Sequence, residues 1–318
     1  MTVLFERHLG ELAPDLVISY GSSQLVRSLR DAARSRGVPI FFYLGNAEYT
    51  DPTIFHPEDR LITISGFLKH HNEALLDRSA AQVTPILDRS RLLPAEAPGI
   101  AGRPADRRLG FVTFINPIPH KGLFLFARLA RMAAKERPEL TFLVVEGRMP
   151  RSLLASRGLD LAAWPNVWWL PTQADVRTLW RRTSILLVPS FWQEGFCRSV
   201  PEAQLNGIPV IASSRGGLPE AVNGGGTVLD LPADWTPKMQ RLPEESAVRP
   251  WLEALLALWD DEEAFRAAGL RARQAAAPFH PDVTGPAAVD LFRRLMSGWQ
   301  PEPADRLNPP GPGRTPGD

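Results

Sequence analysis

Residues 189–222 read PSFWQEGFCRSVPEAQLNGIPVIASSRGGLPEAV, and this stretch sets the fold class of the chain. It closes the apolar run SILLVPS, a buried strand, and holds a short helical segment between Pro201 and Gly207 before the next apolar run, PVIAS. A strand that ends in a turn at Gly195 and enters a helix near Cys197 aims free backbone N–H groups and a positive dipole end at one point. An anion fits there. Glu194 lies on the loop before the helix and Glu202 inside its first turns, so the two carboxylates can flank one elongated ligand and accept hydrogen bonds from its hydroxyls. A phosphate with a sugar on each side suits this layout.

Outward from that stretch the text alternates between strands and helices. Upstream, LGFVTFI reads as a strand, KGLFLFARLARMAAKERP as a helix, LTFLVVEG and NVWWLP as strands, and ADVRTLWRRT as a helix. Downstream come GGTVLDL, two helical runs in RPWLEALLALWDDEEAFRAAGLRARQAAA, and a last helix from about Asp282 to Trp299. The first part repeats the pattern: a helix in MTVLFERHLGEL, the strand PDLVISY, the helix SSQLVRSLRDAARSRG, then the strands VPIFFYL and RLITIS. Such alternation predicts parallel sheets covered on both faces. The polar, Pro-rich text between about Pro85 and Arg108 marks a hinge, and the text from Pro301 onward, nearly free of apolar residues, predicts a disordered tail.

At 318 residues and 44% apolar content the chain can fill two ordinary cores. Thirty-six basic residues against 35 acidic leave a formal charge of +1, which argues against bulk nucleic-acid binding; any anion site must be local. The single cysteine, Cys197, permits neither an internal disulfide nor a cysteine metal cluster, and suits a reducing cytoplasm. No run is long enough to span a bilayer, while nine Trp leave peripheral membrane contact open. No His/Asp/Glu set has metal-ligand spacing, so no metal and no cofactor is expected.

Three separate pieces, EGFCRSVPE, GIPVIASSRGGLPEAV and the upstream turn NPIPHKG, resemble the donor site of retaining glycosyltransferases, in particular family 4 with its two-domain GT-B architecture. The resemblance is close over about residues 108–231 and loose elsewhere. It implies two Rossmann-like, doubly wound parallel-sheet domains. The expected boundaries are a truncated acceptor-side domain over 1–100, a donor-binding domain over 101–280, a crossover helix over 281–300 and the tail 301–318. The first domain is expected to be incomplete, because the text before the hinge is shorter than the roughly 150 residues of a full doubly wound domain.

The resemblance also implies roles. Lys121 would neutralise a diphosphate oxygen, as an ammonium at a strand-to-helix turn can. Glu194 would hold a hydroxyl of the transferred sugar, and Glu202 the ribose hydroxyls. Gly195, Phe196 and Cys197 would offer backbone N–H groups, with Cys197 standing where relatives carry Gly. Many relatives carry an Arg five positions before the Lys; Asn116 stands there, so Arg198, or Arg148, is expected to supply the second cation. Gly122 completes the Lys121 turn, and Pro171, Thr172 and Val176 lie where relatives seat the nucleobase. Gly216, Gly217 and Glu220 form a turn that permits close approach to a ligand or another domain. On the acceptor side, Ser19, Tyr20 and Gly21 stand where relatives often place a His, whereas Asn46, Glu48 and Tyr49 lie at a strand's carboxyl edge, where ligands of parallel sheets bind. His56, His70 and His71 read as surface residues.

The expected activity is sugar transfer from a nucleotide-diphosphate donor, a co-substrate, to a glycan, lipid or small-molecule acceptor. A non-catalytic nucleotide-sugar-binding module, or an epimerase on the same fold, are the alternatives.

Overall fold

The computed structural model describes residues 2–94, 110–156 and 159–297. The expected tail 301–318, and the hinge from residue 95 on, lie outside the described residues. The chain forms two compact units, one from residues 1–64, 68–83 and the segment from Ala288, the other from 65–67 and 84–287.

The first unit contains α1 (Thr2–Leu12), β1 (Val17–Ser19), α2 (Gln24–Arg34), β2 (Ile40–Leu44), β3 (Arg60–Thr63), most of α3 (Gly66–Leu76) and β4 (Ala80–Gln82). Its strands are parallel in the order β1-β2-β3-β4, without a reversal. The helix α2 starts where the Ser23 side chain accepts the Val26 N–H, satisfying one orphan donor, and the chain turns away at Gly37 with φ +71°. Phe42 and Leu44 of β2 pack with Tyr49, Ile54, Phe55 and Leu61 into one core.

Beneath that core lies a buried ion network. The Asp59 carboxylate accepts from Arg30 at 3.0 Å, from Arg34 at 2.8 Å and from the His56 backbone N–H at 3.0 Å. Arg30 also donates to the Ile54 carbonyl at 2.6 Å and stacks over the Phe42 ring at 4.9 Å. Burial lowers the Arg30 pKa, and Asp59 opposes that shift.

The second unit holds β5 (Phe111–Ile115), α4 (Leu123–Glu136), β6 (Phe142–Val145), α5 (Arg151–Ser156), β7 (Val167–Leu170), α6 (Arg177–Trp180) and β8 (Thr183–Val188). It continues through α7 (Ser199–Leu205), β9 (Val210–Ser213), α8 (Leu218–Val222), β10 (Thr227–Leu229), α9 (Glu245–Trp259) and α10 (Glu262–Ala276). The final helix α11 (Pro281–Ser297) begins in this unit and from Ala288 clusters with the first, where Phe292 meets Phe41 edge to face at 5.4 Å.

The second sheet runs β10-β9-β8-β5-β6-β7, all parallel. The chain moves outward from β5 to β7, then returns to the other side of β5 and moves outward again. The reversal lies between β5 and β8, the place where open parallel sheets bind ligands outside their carboxyl ends. Helix α4 buries Leu125, Phe126 and Leu129 against Phe114 and Phe142, and α9 adds Trp251, Leu252 and Leu255 to the same core. Two helices are shorter than the sequence pattern predicts. The Asp175 side chain accepts the Arg177 N–H, so α6 opens only there. Cys197 is left-handed, φ +65°, so α7 starts at Ser199.

An Asp59→Ala substitution leaves the buried Arg30 guanidinium without its carboxylate, while the partly buried Arg34 keeps only Asp31 at 2.7 Å and the more distant Glu58. It is expected to cost about 3–5 kcal/mol of stability, read as a lowered unfolding midpoint in urea, whereas Arg7→Ala in the exposed Arg7–Glu11 pair shifts the midpoint little.

Candidate functional site

The ends of β5 and β8 are pressed together by a glycine. Gly122 has φ +88°, and a Cβ built on it would stand 1.9 Å from the Pro189 carbonyl oxygen, so no side chain is accommodated. The two loops are then laced: the N–H groups of Phe191 and Trp192 both donate to the His120 carbonyl, at 2.9 and 3.1 Å. A single 3-10 turn, Pro119–Lys121, thereby presents Lys121 to the loop after β8. Its Nζ donates to both oxygens of Glu194, at 2.5 and 2.7 Å. The Ser190 hydroxyl donates to Glu194 Oε1 at 2.6 Å, and Ser213 donates to the Ser190 carbonyl at 2.6 Å. Glu194 is buried; the Lys121 side chain retains 28% exposure. The pair opens onto a cavity of about 120 Å³ lined by Phe114, Asn116, Lys121, Glu194, Cys197 and Ser199.

Asn116, at the end of β5, is left-handed with φ +61°, and its Oδ1 accepts the Arg148 N–H at 2.9 Å, tying the ends of β5 and β6 together. The Arg148 residue itself is exposed. The glycines 216 and 217 do approach another backbone closely, and it is that of the Glu194 loop. A Cβ on Gly216 would lie 2.4 Å from the Glu194 carbonyl oxygen, one on Gly217 would lie 2.4 Å from that of Gly195, and the Gly217 N–H donates to Glu194 O at 2.7 Å. This turn, which leads into α8 with Glu220 in its first turn, buttresses the carboxylate's main chain.

Phe196 buries its ring against Phe279 at 5.3 Å, which leaves its main chain as the part facing the loop. The Cys197 thiol lies 3.3 Å from the Ser199 hydroxyl. Burial first, then the Glu194 charge, pushes its pKa up to about 11, so the thiol stays protonated at neutral pH and is no thiolate nucleophile. Helix α7 runs only seven residues, so positive charge at this end rests more on Lys121 than on aligned peptides.

Glu202 does not line the cavity of Glu194. It is buried in α7, with Oε1 2.8 Å from Arg91 Nε, and burial raises its pKa against the opposing pull of Arg91. Arg198, at the N-cap of α7, is exposed and is likewise not among the cavity-lining residues; its charge acts on Glu202. Pro171 and Thr172 follow β7 as exposed residues, with the Thr172 hydroxyl donating to the Glu146 carbonyl at 3.0 Å, and Val176 stands at the start of α6. Sequence reasoning missed Ser190 and Arg91. Ser190 was findable as a hydroxyl between a strand end and Glu194, whereas Arg91 sits in text read only as hinge.

In the first unit, Asn46, Glu48 and Tyr49 gather after β2. Asn46 Nδ2 donates to Glu48 Oε2 at 3.3 Å and to the Tyr20 hydroxyl at 3.4 Å, and the Tyr49 hydroxyl accepts the Gly21 N–H at 3.2 Å. Burial, then Tyr20, raises the Tyr49 pKa. Tyr20 is exposed and packs edge-on to Tyr49 at 6.0 Å. Of the three histidines read as surface residues, His71 is partly buried and lies 3.2 Å from the Ala47 carbonyl.

Residues 106–245 match the family described as glycosyl transferases group 1. This region is a glycosyl transferases group 1 domain. The chain is 30% identical over 236 residues to a D-inositol 3-phosphate glycosyltransferase of Saccharomonospora viridis, a match covering 69% of this chain and 51% of that protein. A Mycobacterium bovis protein of the same name is 34% identical over 132 residues, 39% of this chain and 26% of its own. The chain thus spans about half, or less, of the curated relatives it matches. Among solved structures, a sucrose-phosphate synthase from Thermosynechococcus elongatus superposes with a TM-score of 0.69 at 18% identity, over 94% of this chain and 78% of that one. Anabaena HepE in complex with UDP-glucose gives 0.67 at 17% identity, over 92% and 82%. These likenesses establish the fold as two parallel-sheet α/β domains of the GT-B type. Among the described residues, no helix is long and apolar enough to cross a membrane.

Two measurements test this geometry. Gly216→Val is expected to displace the Glu194 backbone, so that chemical shifts at residues 190–197 change while those of the first unit do not. Alkylation of Cys197 by iodoacetamide in the native protein is expected to climb about tenfold per pH unit from about pH 7 to pH 10 without levelling. A plateau near the ordinary thiol value contradicts the burial.

Proposed function

We propose that this protein is a glycosyltransferase that moves a sugar from a nucleotide-diphosphate donor to a hydroxyl-bearing acceptor with retention of configuration. The observation that carries the reading is the Lys121–Glu194 pair at the strand-order reversal, inside the region that matches glycosyl transferases group 1. The donor class draws support from HepE, whose solved complex holds UDP-glucose, and from the sugar-transferring names of the curated relatives. In this reading the second unit is the donor-binding domain and the first the acceptor side.

The two halves of the pair part when the donor enters. Lys121 exchanges the Glu194 carboxylate for a diphosphate oxygen, and Glu194, still held by Ser190, accepts a hydrogen bond from a hydroxyl of the transferred sugar. The main-chain N–H groups of Gly195, Phe196 and Cys197 add donors, Arg198 supplies the second cation, and Glu202 takes the ribose. Asn116 and Gly122 shape the phosphate end of the cavity, and Pro171, Thr172 and Val176 seat the base. The bond from the anomeric carbon to the diphosphate breaks with its electron pair left on the diphosphate. The acceptor hydroxyl then adds to the same face and its proton passes to a diphosphate oxygen. Stabilising the departing charge is the main catalytic task, and it falls to Lys121. Asn46, Glu48 and Tyr49 are the proposed acceptor contacts.

Calorimetric titration of the full chain with UDP, GDP and ADP identifies the base. With the nucleotide that binds, Lys121→Ala is expected to lose most of the affinity and, in a transfer assay with the matching sugar nucleotide, about 100-fold in kcat. Wild-type affinity and turnover in Lys121→Ala would sink the reading.

A further inference from the structure

The segment following β4 is seated on α7 with its arginine over Glu202. Leu87 and Leu93 are buried, and Asp88 caps the 3-10 turn Arg89–Arg91 by accepting the Ser90 N–H at 2.8 Å. The Leu93 N–H donates to Asn206 Oδ1 at 2.7 Å, and Asn206 Nδ2 donates back to the Glu202 carbonyl at 2.8 Å. One amide side chain thus registers the segment against the very residue whose carboxylate Arg91 meets. Arg91 Nε stands 2.8 Å from Glu202 Oε1, with the carboxylate side chain 4% exposed and the arginine side chain 42% exposed. Glu202 Oε2 and Arg91 Nε are both buried without a hydrogen-bond partner among the described residues, so the Arg91–Glu202 contact is an ion pair and not an aligned hydrogen bond.

That asymmetry separates two roles. A purely structural latch is strongest as a bidentate fork that saturates both carboxylate oxygens, because an unpaired buried oxygen costs its full desolvation. Here one oxygen has a single ion-pair contact and the other has no donor, while much of the arginine side chain reaches solvent. A vicinal diol that reached this carboxylate would be the complementary group: one hydroxyl would donate to Oε2 and the other would lie within the guanidinium's field. We propose that Arg91 is a positioning residue of the donor site, holding Glu202 ionised and aimed so that Oε2 receives a ribose hydroxyl of the nucleotide. This inference rests on the donor reading above, and adds to it a residue from the connecting segment, which sequence spacing assigns no role.

The sign of the pH dependence follows from the groups around the carboxylate. Burial raises the Glu202 pKa; Arg91 and then Arg198 lower it, and Asp88 raises it. From α10, Arg273 turns to the Leu205 carbonyl of the same helix. Binding that needs the ionised carboxylate is present above its pKa and lost as pH falls through it. Removing Arg91 moves that loss to higher pH.

The test is calorimetry of the full chain with UDP, GDP and ADP across about pH 5 to 8, on wild type, Arg91→Gln, Arg91→Lys and Glu202→Gln, with unfolding midpoints as a control. Arg91→Gln is expected to lose affinity by about tenfold or more towards acidic pH, with its midpoint of loss above that of wild type. Arg91→Lys is expected to restore both, and Glu202→Gln to bind weakly with a flat profile. Wild-type binding matched by Arg91→Gln at every pH overturns the inference alone. A uniform, pH-independent loss in Arg91→Gln with a lowered unfolding midpoint makes the contact a structural latch and also overturns it. No binding of any of the three nucleotides by wild type removes the donor reading and this inference together.

Discussion

The contact between Gly122 and the Pro189 carbonyl is the constraint from which the site follows. Two adjacent parallel strands, β5 and β8, end at the reversal of strand order, and their loops would ordinarily diverge toward opposite faces of the sheet. The absence of a Cβ at Gly122 lets the Lys121 turn lie against the backbone of the loop after β8, and the shared His120 carbonyl then fixes the two in register. The two hydrogen bonds from Lys121 to Glu194 depend on that approach. The glycines 216 and 217 repeat the device from the other side, pressing the turn before α8 against the same loop. A carboxylate is thereby held between two backbone approaches, each of which excludes a side chain.

Charge in the second unit is arranged locally rather than as a field. Each of the two buried carboxylates has its own cation, Lys121 for Glu194 and Arg91 for Glu202. In the proposed reading, a near-neutral chain would offer a diphosphate a cation that is already paired, and binding would exchange one partner for another. The ammonium suits this exchange because it is a compact point charge on a flexible stem, able to turn from a carboxylate to a phosphate oxygen. The first unit uses a carboxylate differently. Asp59 is saturated by Arg30, Arg34 and a backbone N–H, and that network holds the α2–β3 packing.

Much of the fold was legible because apolar runs and helical periodicities are local properties. Both parallel sheets, the loop carrying Glu194 and the turn carrying Lys121 could be read directly from the text. The pattern misjudged α6 and α7, where an Asp175 side chain and a left-handed Cys197 decide where the helix opens. Gly216 and Gly217 were legible as a close approach, but not as one made to Glu194. Arg91 was invisible, since nothing in a Pro-rich connecting segment says which distant helix it will lie on.

By itself the sequence determined the succession of strands and helices, the glycines that loops require and the chemical types available at each strand end. These follow from backbone sterics and side-chain chemistry within a few residues. Tertiary structure alone decided which groups meet: that Lys121 and Glu194, 73 positions apart, share one hydrogen-bonded pair, and that Glu202 is closed over by an arginine from the segment after β4. The reason is geometric. Hydrogen bonds and ion pairs act over about 3 Å, and only the order of strands in the sheet and the seating of the connecting segment bring residues so distant in the chain within that range.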